Sequence, residues 1–239
     1  MQNVYVMSDV HGCFYAFKKM LKQINFTDDD LLIIAGDVID RGGHNNLKII
    51  DYILEHKNII LVRGNHEEFF LRYDNKELAG NLYYKFGGKN TISELSKMSV
   101  DEYLRFRNFL NKTPLYYEIN VNGIDYTVCH NGYNLDYTIA RNEKDEILLK
   151  ETIEIQYASN WFDFFCSSDL YTNFSNKFST MVIAGHTPVQ NIDGCNEIII
   201  TKRYIDLDCG ATYNGGRLAC LRLNDFEKFY QDITRKDLQ

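Results

Sequence analysis

The sequence predicts an α/β protein, two β-sheets packed as a sandwich and flanked by helices, and three observations carry that expectation. The first 66 residues repeat a short apolar run, a polar loop and an amphipathic stretch. The second half is built from runs of strand length with alternating polarity. An Asn122-Gly123 pair divides two of those runs. Strand-sized apolar runs alternating with helical periodicity indicate βαβ units, and Asn-Gly between alternating runs indicates a hairpin.

Taken in order, "NVYVM" reads as a strand followed by a helix with Phe14, Phe17, Met20, Leu21 and Ile24 on one face. "LLIIA" is the next strand, ahead of a helix bearing Leu47, Ile50, Ile53 and Leu54. "NIILV" is the third. Phe69 to Leu110 is helical, charged and aromatic, an inserted cap rather than a separate domain. "LYYEINVNGIDYTVCH" reads as the hairpin, and "TMVIAGH", "EIIIT", "RYIDLDCG" and "RLACLRL" as further strands. Asn134 to Phe178 reads as a second, mostly helical cap with the sole tryptophan, Trp161. Tyr133, Tyr137 and the Tyr83–Gly88 segment are expected to pack these caps onto the sheets. With 239 residues, 45% of them hydrophobic, and two prolines, one domain over 1–239 is expected.

The formal net charge is −7 with dispersed basic residues, which argues against stable nucleic-acid binding, since that binding draws on clustered Lys and Arg. The apolar runs fall far short of a bilayer span, and the chain opens directly on a strand pattern, so no membrane association and a cytoplasmic location are expected. Six scattered cysteines form no C-x-x-C pair, which points to reduced thiols rather than a zinc or redox motif. If such an acidic chain acts on phosphate, bound metal ions are the obvious source of a local positive field.

Five segments, each after an apolar strand, hold potential ligands: "MSDVHG" (Asp9, His11), "GDVIDRG" (Asp37, Asp40, Arg41), "RGNHE" (Asn65, His66), "VCHNG" (His130) and "IAGHTP" (His186). Polar residues at the carboxyl ends of parallel strands gather on one sheet edge, where open α/β folds bind ligands. Carboxylate, imidazole and amide oxygen suit Mn, Fe or Zn, and no cysteine falls in these loops. Any one segment could be a loop cap or a helix start. Their joint recurrence at equivalent places, with four of the six histidines among them, is what a metal centre requires.

In that order, "DVHG", "GDVIDRG", "RGNHE", His130 and "GHTP" resemble the calcineurin-like metallophosphoesterases. Within these they resemble the phosphoprotein phosphatase branch, which includes bacterial and phage-type protein phosphatases and diadenosine tetraphosphatases. The closing "IDLDCGATYNGGRLACLRL" is similar too, so the likeness runs from about Val4 to Leu223. The resemblance implies an α/β/β/α metallophosphatase fold with two divalent ions, Mn before Fe or Zn. It implies that Asp9, His11 and Asp37 hold one ion and that Asp37, Asn65, His130 and His186 hold the other. Such ions lie about 3.5–4 Å apart and share a water that ionises near neutral pH and attacks phosphorus. His66 would protonate the leaving oxygen, Asp40 would orient its imidazole, and Arg41 would bind the phosphoryl oxygens.

Two positions depart from the pattern. Asn131 stands where that branch usually has alanine, and Asp163 in "NWFDF" stands where a second phosphate-binding arginine is expected, with Arg141 or Arg203 as possible substitutes. The leading expectation is a phosphatase for phosphoserine, phosphothreonine or phosphotyrosine in proteins, or for small phosphomonoesters. The near alternative is a dinucleoside polyphosphate hydrolase, and a further one is a non-catalytic metal-binding interaction module. The partner is accordingly a phosphorylated protein or peptide, or a nucleotide.

Overall fold

The computed structural model describes residues 2–172 and 177–239. The elements run β1 (Val4–Met7), α1 (Phe14–Gln23), β2 (Leu31–Ala35), α2 (Asn46–Glu55), β3 (Ile59–Val62), α3 (Asn65–Asp74), α4 (Gly80–Lys85), α5 (Lys89–Leu95) and α6 (Val100–Asn111). There follow β4 (Tyr116–Val121), β5 (Ile124–Cys129), α7 (Leu149–Ser159), α8 (Trp161–Cys166), β6 (Met181–Ala184), β7 (Ile199–Ile200), β8 (Tyr204–Asp206), β9 (Arg217–Arg222), β10 (Glu227–Asp232) and α9 (Arg235–Leu238). They form two five-stranded sheets, ordered β10-β9-β1-β2-β3 and β4-β5-β6-β8-β7.

The period of two along each strand explains the layering. On β1 and β2, Val4, Val6, Ile33 and Ala35 enter the core between the sheets, where they meet Tyr126, Val128, Ile183 and Ile205 of the second sheet. Their neighbours Tyr5, Met7, Leu32 and Ile34 face outward onto Phe17, Met20, Leu47, Ile50 and Ile53 of α1 and α2. On the far side, Cys129, Val182, Ala184 and Tyr204 pack on Leu149, Ile153, Phe164 and Phe165 of α7 and α8. Every central strand is therefore covered on both faces, which is why these strands read as continuous apolar runs. The Asn122-Gly123 turn has φ of 52° and 83°, the paired positive values that a two-residue hairpin turn demands.

The structure differs from the sequence expectation in two places. The 134–178 segment is helical only at α7 and α8. Its other described residues are irregular, pinned by single β-bridges from Ile147 to Arg141 and Phe178, and 173–176 lie outside the described residues. β10 and α9 were not expected. β10 is an edge strand, exposed along much of its length, and its register on β9 pairs Phe229 with Cys220.

The parallel register of β1, β2 and β3 brings three loops to one edge: Ser8–Cys13, Gly36–Asn45 and Arg63–Gly64. β5 and β6, also parallel, deliver His130 and His186 to that edge from the second sheet. Gly36 (φ 83°) and Gly64 make the approach possible. A Cβ on Gly36 would lie 2.5 Å from His130 Nδ1, and one on Gly64 would lie 2.2 Å from Asp37 Oδ1.

Candidate metal centre

The loops at this edge adopt the left-handed region repeatedly. Asp9, His11, Asp37, Asp40, Arg41 and His186 all have φ between 45° and 71°. Each such residue costs on the order of 1–3 kcal/mol and persists only where its surroundings enforce it. The enforcing contacts are main-chain bonds between loops, including Asp9 N to Gly36 O at 3.1 Å and His11 N to Asp37 O at 2.9 Å.

Asp37 lies at the middle of the cluster and is 1% exposed. Its Oδ2 is 3.3 Å from His130 Nε2, 3.7 Å from His11 Nε2 and 3.8 Å from His66 Nε2. Its Oδ1 accepts from the His66 main-chain N–H at 3.0 Å. Asn65 Oδ1 lies 2.7 Å from His130 Nε2 and 2.9 Å from His186 Nδ1, and those two ring nitrogens are 3.1 Å apart. Asp9 Oδ1 is 3.9 Å from His11 Nε2, while its Oδ2 accepts from the His186 N–H at 3.0 Å. All six expected ligands thus meet at one edge. Among the described residues, the His and Asp groups close enough to hold a metal ion are His11–Asp37–His66 and Asp37–His130–His186, neither of which includes Asp9; His66 Nε2 lies 3.8 Å from Asp37, and His11 Nε2 lies 3.9 Å from Asp9.

The donor chemistry fits cations. A carbonyl can only accept, so the bonds His11 Nδ1 to Ile39 O (3.0 Å) and His130 Nδ1 to Ala35 O (2.8 Å) place a proton on each Nδ1. That leaves the His130 Nε2 lone pair aimed at carboxylate and amide oxygens, acceptor against acceptor, in a buried space, while His11 Nε2 faces Asp37 with the Arg41 guanidinium 3.4 Å away. A cation resolves such a cluster. In the metal-free protein a proton does so: burial opposes the charge on His130, but Asp37 carries its pKa up to about 10. Asp37 is likewise opposed by burial yet held well below the usual carboxylate range by His130 and His66. Burial and the His130 charge push His186 down to about 3, and burial pushes His11 down and Asp9 up. Divalent metal ions match this set of hard and borderline donors.

Asp40 and His66 form a separate pair, both fully buried. Asp40 Oδ2 is 2.9 Å from His66 Nδ1, and His66 Nε2 has no hydrogen-bond partner. Arg41 is exposed, with Nη1 3.4 Å from His11 Nε2, so its guanidinium reaches the rim of the cluster.

The expected substitutes for a second arginine do not join it. Arg203 O accepts from Val182 N at the amino end of β6, the sheet edge opposite His186, and Arg141 is bridged to Ile147 and engages Asp145. Asp163 Oδ2 accepts from Tyr137 Oη at 2.5 Å and from Asn160 Nδ2 at 2.8 Å. Asn131 turns away from the centre and donates to Phe164 O and Ser167 O, which fastens the loop after β5 to α8.

Sequence reasoning missed Glu67, Tyr83 and Thr91. Glu67 accepts from three main-chain N–H groups of the ligand loops, and Tyr83 and Thr91 donate to Asp40. For Glu67 a signal existed, an acidic residue in the first turn of α3, but it reads equally as a cap.

Fold and donor set together fit a metal-dependent phosphoric ester hydrolase. The family profile of the calcineurin-like phosphoesterases matches residues 3–190, and the chain belongs to that family. It is 24% identical over 243 residues to a bis(5'-nucleosyl)-tetraphosphatase PrpE (asymmetrical) of Bacillus mycoides, covering 93% of this chain and 91% of that one. Among solved structures it is similar to a candidate diadenosine tetraphosphatase (TM-score 0.63, 15% identity, 98% of this chain and 95% of that chain). A cold-active protein-tyrosine phosphatase of a Shewanella species shares the fold as well (TM-score 0.59, 18% identity, 100% and 81%). Among the described residues no helix is long and apolar enough to cross a membrane.

Proposed function

We propose that the chain hydrolyses phosphomonoesters, including phosphoserine, phosphothreonine and phosphotyrosine in proteins, with His66 protonating the leaving oxygen. The observation that carries this reading is the His66–Asp40 pair: a buried imidazole whose Nδ1 faces a carboxylate and whose Nε2 is left over for substrate. A proton donor so placed matters most for an alkoxide or phenoxide, the poor leaving groups of phosphomonoesters.

When bound, two divalent ions, Mn before Fe or Zn, supply Lewis-acid charge and a nucleophile at neutral pH. Asp9, His11 and Asp37 would hold one, and Asp37, Asn65, His130 and His186 the other. Arg41 binds the phosphoryl oxygens from the rim, where its exposed planar fork is free to meet them. Asp40 holds the His66 ring with its Nε2 toward Asp37.

A second reading, hydrolysis of dinucleoside tetraphosphates, is favoured by the likeness to PrpE along nearly the whole of both chains. It uses the same centre and asks less of His66, because a nucleotide is a better leaving group. Turnover of nitrophenyl phosphate, phosphopeptides and diadenosine tetraphosphate in Mn buffer separates the two readings, with Asp9→Asn and His66→Asn as controls. Phosphopeptide turnover that falls in both variants supports the first reading. Turnover of diadenosine tetraphosphate alone replaces it with the second, and full activity in Asp9→Asn sinks the ligand assignment.

A further inference from the structure

Asp40 is held from two sides. Its Oδ2 is committed to His66 Nδ1 at 2.9 Å, while its Oδ1 accepts from Tyr83 Oη at 2.9 Å and from Thr91 Oγ1 at 2.5 Å. Tyr83 belongs to α4 and Thr91 to α5, both in the inserted cap, and both side chains are fully buried. The Tyr83 ring stacks on Tyr73 of α3 and lies against Gly88, where an added Cβ would sit 2.3 Å from it. The same cap touches the next residue of the loop, since Gly87 O accepts from Arg41 N at 3.2 Å.

We infer that Tyr83 and Thr91 are positioning residues for proton donation, and that this cap serves to fix the Asp40 carboxylate. A carboxylate with one committed oxygen still rotates about its Cβ–Cγ bond, which is a soft torsion. Two donors on Oδ1 remove that rotation, so Oδ2 stays on the imidazole and Nε2 stays directed at the centre. Removing either donor leaves a buried lone pair of Asp40 unmet, and the carboxylate turns to recover it. The metal ligands lie on other loops and are untouched, apart from the shared Gly36–Asn45 loop that carries Asp37. The inference rests on the reading of His66 as the acid.

Leaving-group sensitivity tests it in the metal-loaded enzyme. In Tyr83→Phe and in the isosteric Thr91→Val, kcat on phenyl phosphate is expected to fall about tenfold with KM held, a part of the roughly 10²–10⁴-fold that a general acid contributes. On nitrophenyl phosphate, whose leaving group needs little protonation, the loss should be roughly twofold or less. His66→Asn should show the same bias more strongly. Equal losses on both substrates, beside a normal bias in His66→Asn, overturn the positioning role and leave the acid standing. A His66→Asn variant without bias overturns the acid and this inference with it.

Proton NMR of the metal-free protein gives a second readout. The low-field Nδ1–H signal of His66 should move or exchange faster in both variants. An unchanged signal in either one, with the fold intact, contradicts the role.

Discussion

Glu67 braces Asp37 from behind. Its Oε2 accepts from the Asp37 N–H at 2.8 Å and the Gly64 N–H at 2.9 Å, and its Oε1 accepts from Val38 N–H at 2.9 Å. One carboxylate on α3 thereby clamps the loop after β2, which bears Asp37, to the turn after β3, which leads into Asn65. It does so fully buried, and burial together with the Asp37 charge pushes its pKa up to about 7.

Replacing Glu67 by Gln sets one amide nitrogen against a main-chain N–H, so at least one of the three donors is left unpaired. A buried donor without a partner costs about 1–3 kcal/mol. We expect Glu67→Gln to unfold at correspondingly lower urea in chelator, and to bind Mn more weakly by titration calorimetry. Wild-type metal affinity in a folded Glu67→Gln variant would mean that the loops hold their spacing without the clamp.

The choice between Asp9 and His66 as a ligand is open to a binding measurement that needs no turnover. His66 Nε2 lies about as near to Asp37 as Asp9 lies to His11, yet its Nδ1 is bound to Asp40. On the proposed reading that bond makes His66 a proton donor, and Asp9 would complete the first site. Metal analysis after dialysis should therefore find two ions per chain in wild type and in His66→Asn, and one in Asp9→Asn. Two ions in Asp9→Asn and one in His66→Asn would exchange the two roles.

Metal binding should also appear as stability. A ligand present at a hundred times its Kd stabilises the folded state by about 2.7 kcal/mol per site. Thermal unfolding is expected at higher temperature with excess Mn than with chelator. Asp37→Asn, which touches both clusters, should abolish most of that difference, whereas Asp163→Asn should leave it whole. A Mn-dependent rise retained in Asp37→Asn would remove Asp37 from its shared position.

The candidate ligands are legible because Asp, His and Asn lie within a few residues of the end of an apolar run, and parallel pairing of β1, β2 and β3 carries the ends of such runs to one edge. What was not legible acts across the chain. Glu67 meets Asp37 from 30 residues away, and Tyr83 and Thr91 meet Asp40 from 43 and 51. No local pattern encodes those encounters, and a buried Tyr or Thr in an aromatic cap reads first as packing. β10 carries no apolar strand signal because an edge strand is half wet and charged, as in Glu227, Lys228 and Asp232. The 134–178 segment reads as more helical than it is because its apolar residues cover a sheet face from loops as well as from α7 and α8.

Asp30 supplies a pH dependence away from the centre. Its carboxylate accepts from Thr27 N and Oγ1, both at 2.9 Å, and from Asn3 Nδ2 at 2.9 Å, tying the turn before β2 to the start of β1. Burial works against the charge, but those donors outweigh it and hold the pKa below the ordinary 3.8. The folded state then binds fewer protons than the unfolded one, so the contribution is present above 3.8 and is lost as pH falls through the folded value. Asp30→Ala should cost about 1–3 kcal/mol at neutral pH by urea unfolding. Its deficit against wild type should narrow in acid, and a deficit that widened there would reverse the sign of the shift.

The last prediction reverses an expectation that sequence alone suggests. Since the sequence resemblance puts Asp163 where a phosphate-binding arginine is expected, Asp163→Arg looks like a repair that should raise phosphomonoester turnover. In the fold, Asp163 lies in the first turn of α8, where its carboxylate accepts from Tyr137 Oη and Asn160 Nδ2 and its own N–H is capped by Asn160 Oδ1. An arginine there loses both bonds, sets a cation against two donors, and puts positive charge at a helix N-terminus, where it is disfavoured. Asp163→Arg should therefore lower stability by about 1–2 kcal/mol without raising kcat/KM on nitrophenyl phosphate. Arg41→Ala, by contrast, should raise KM strongly, because Arg41 is the guanidinium that reaches His11. A gain in kcat/KM from Asp163→Arg would mean that α8 turns this position toward bound phosphate, and that Arg41 does not grip the substrate alone.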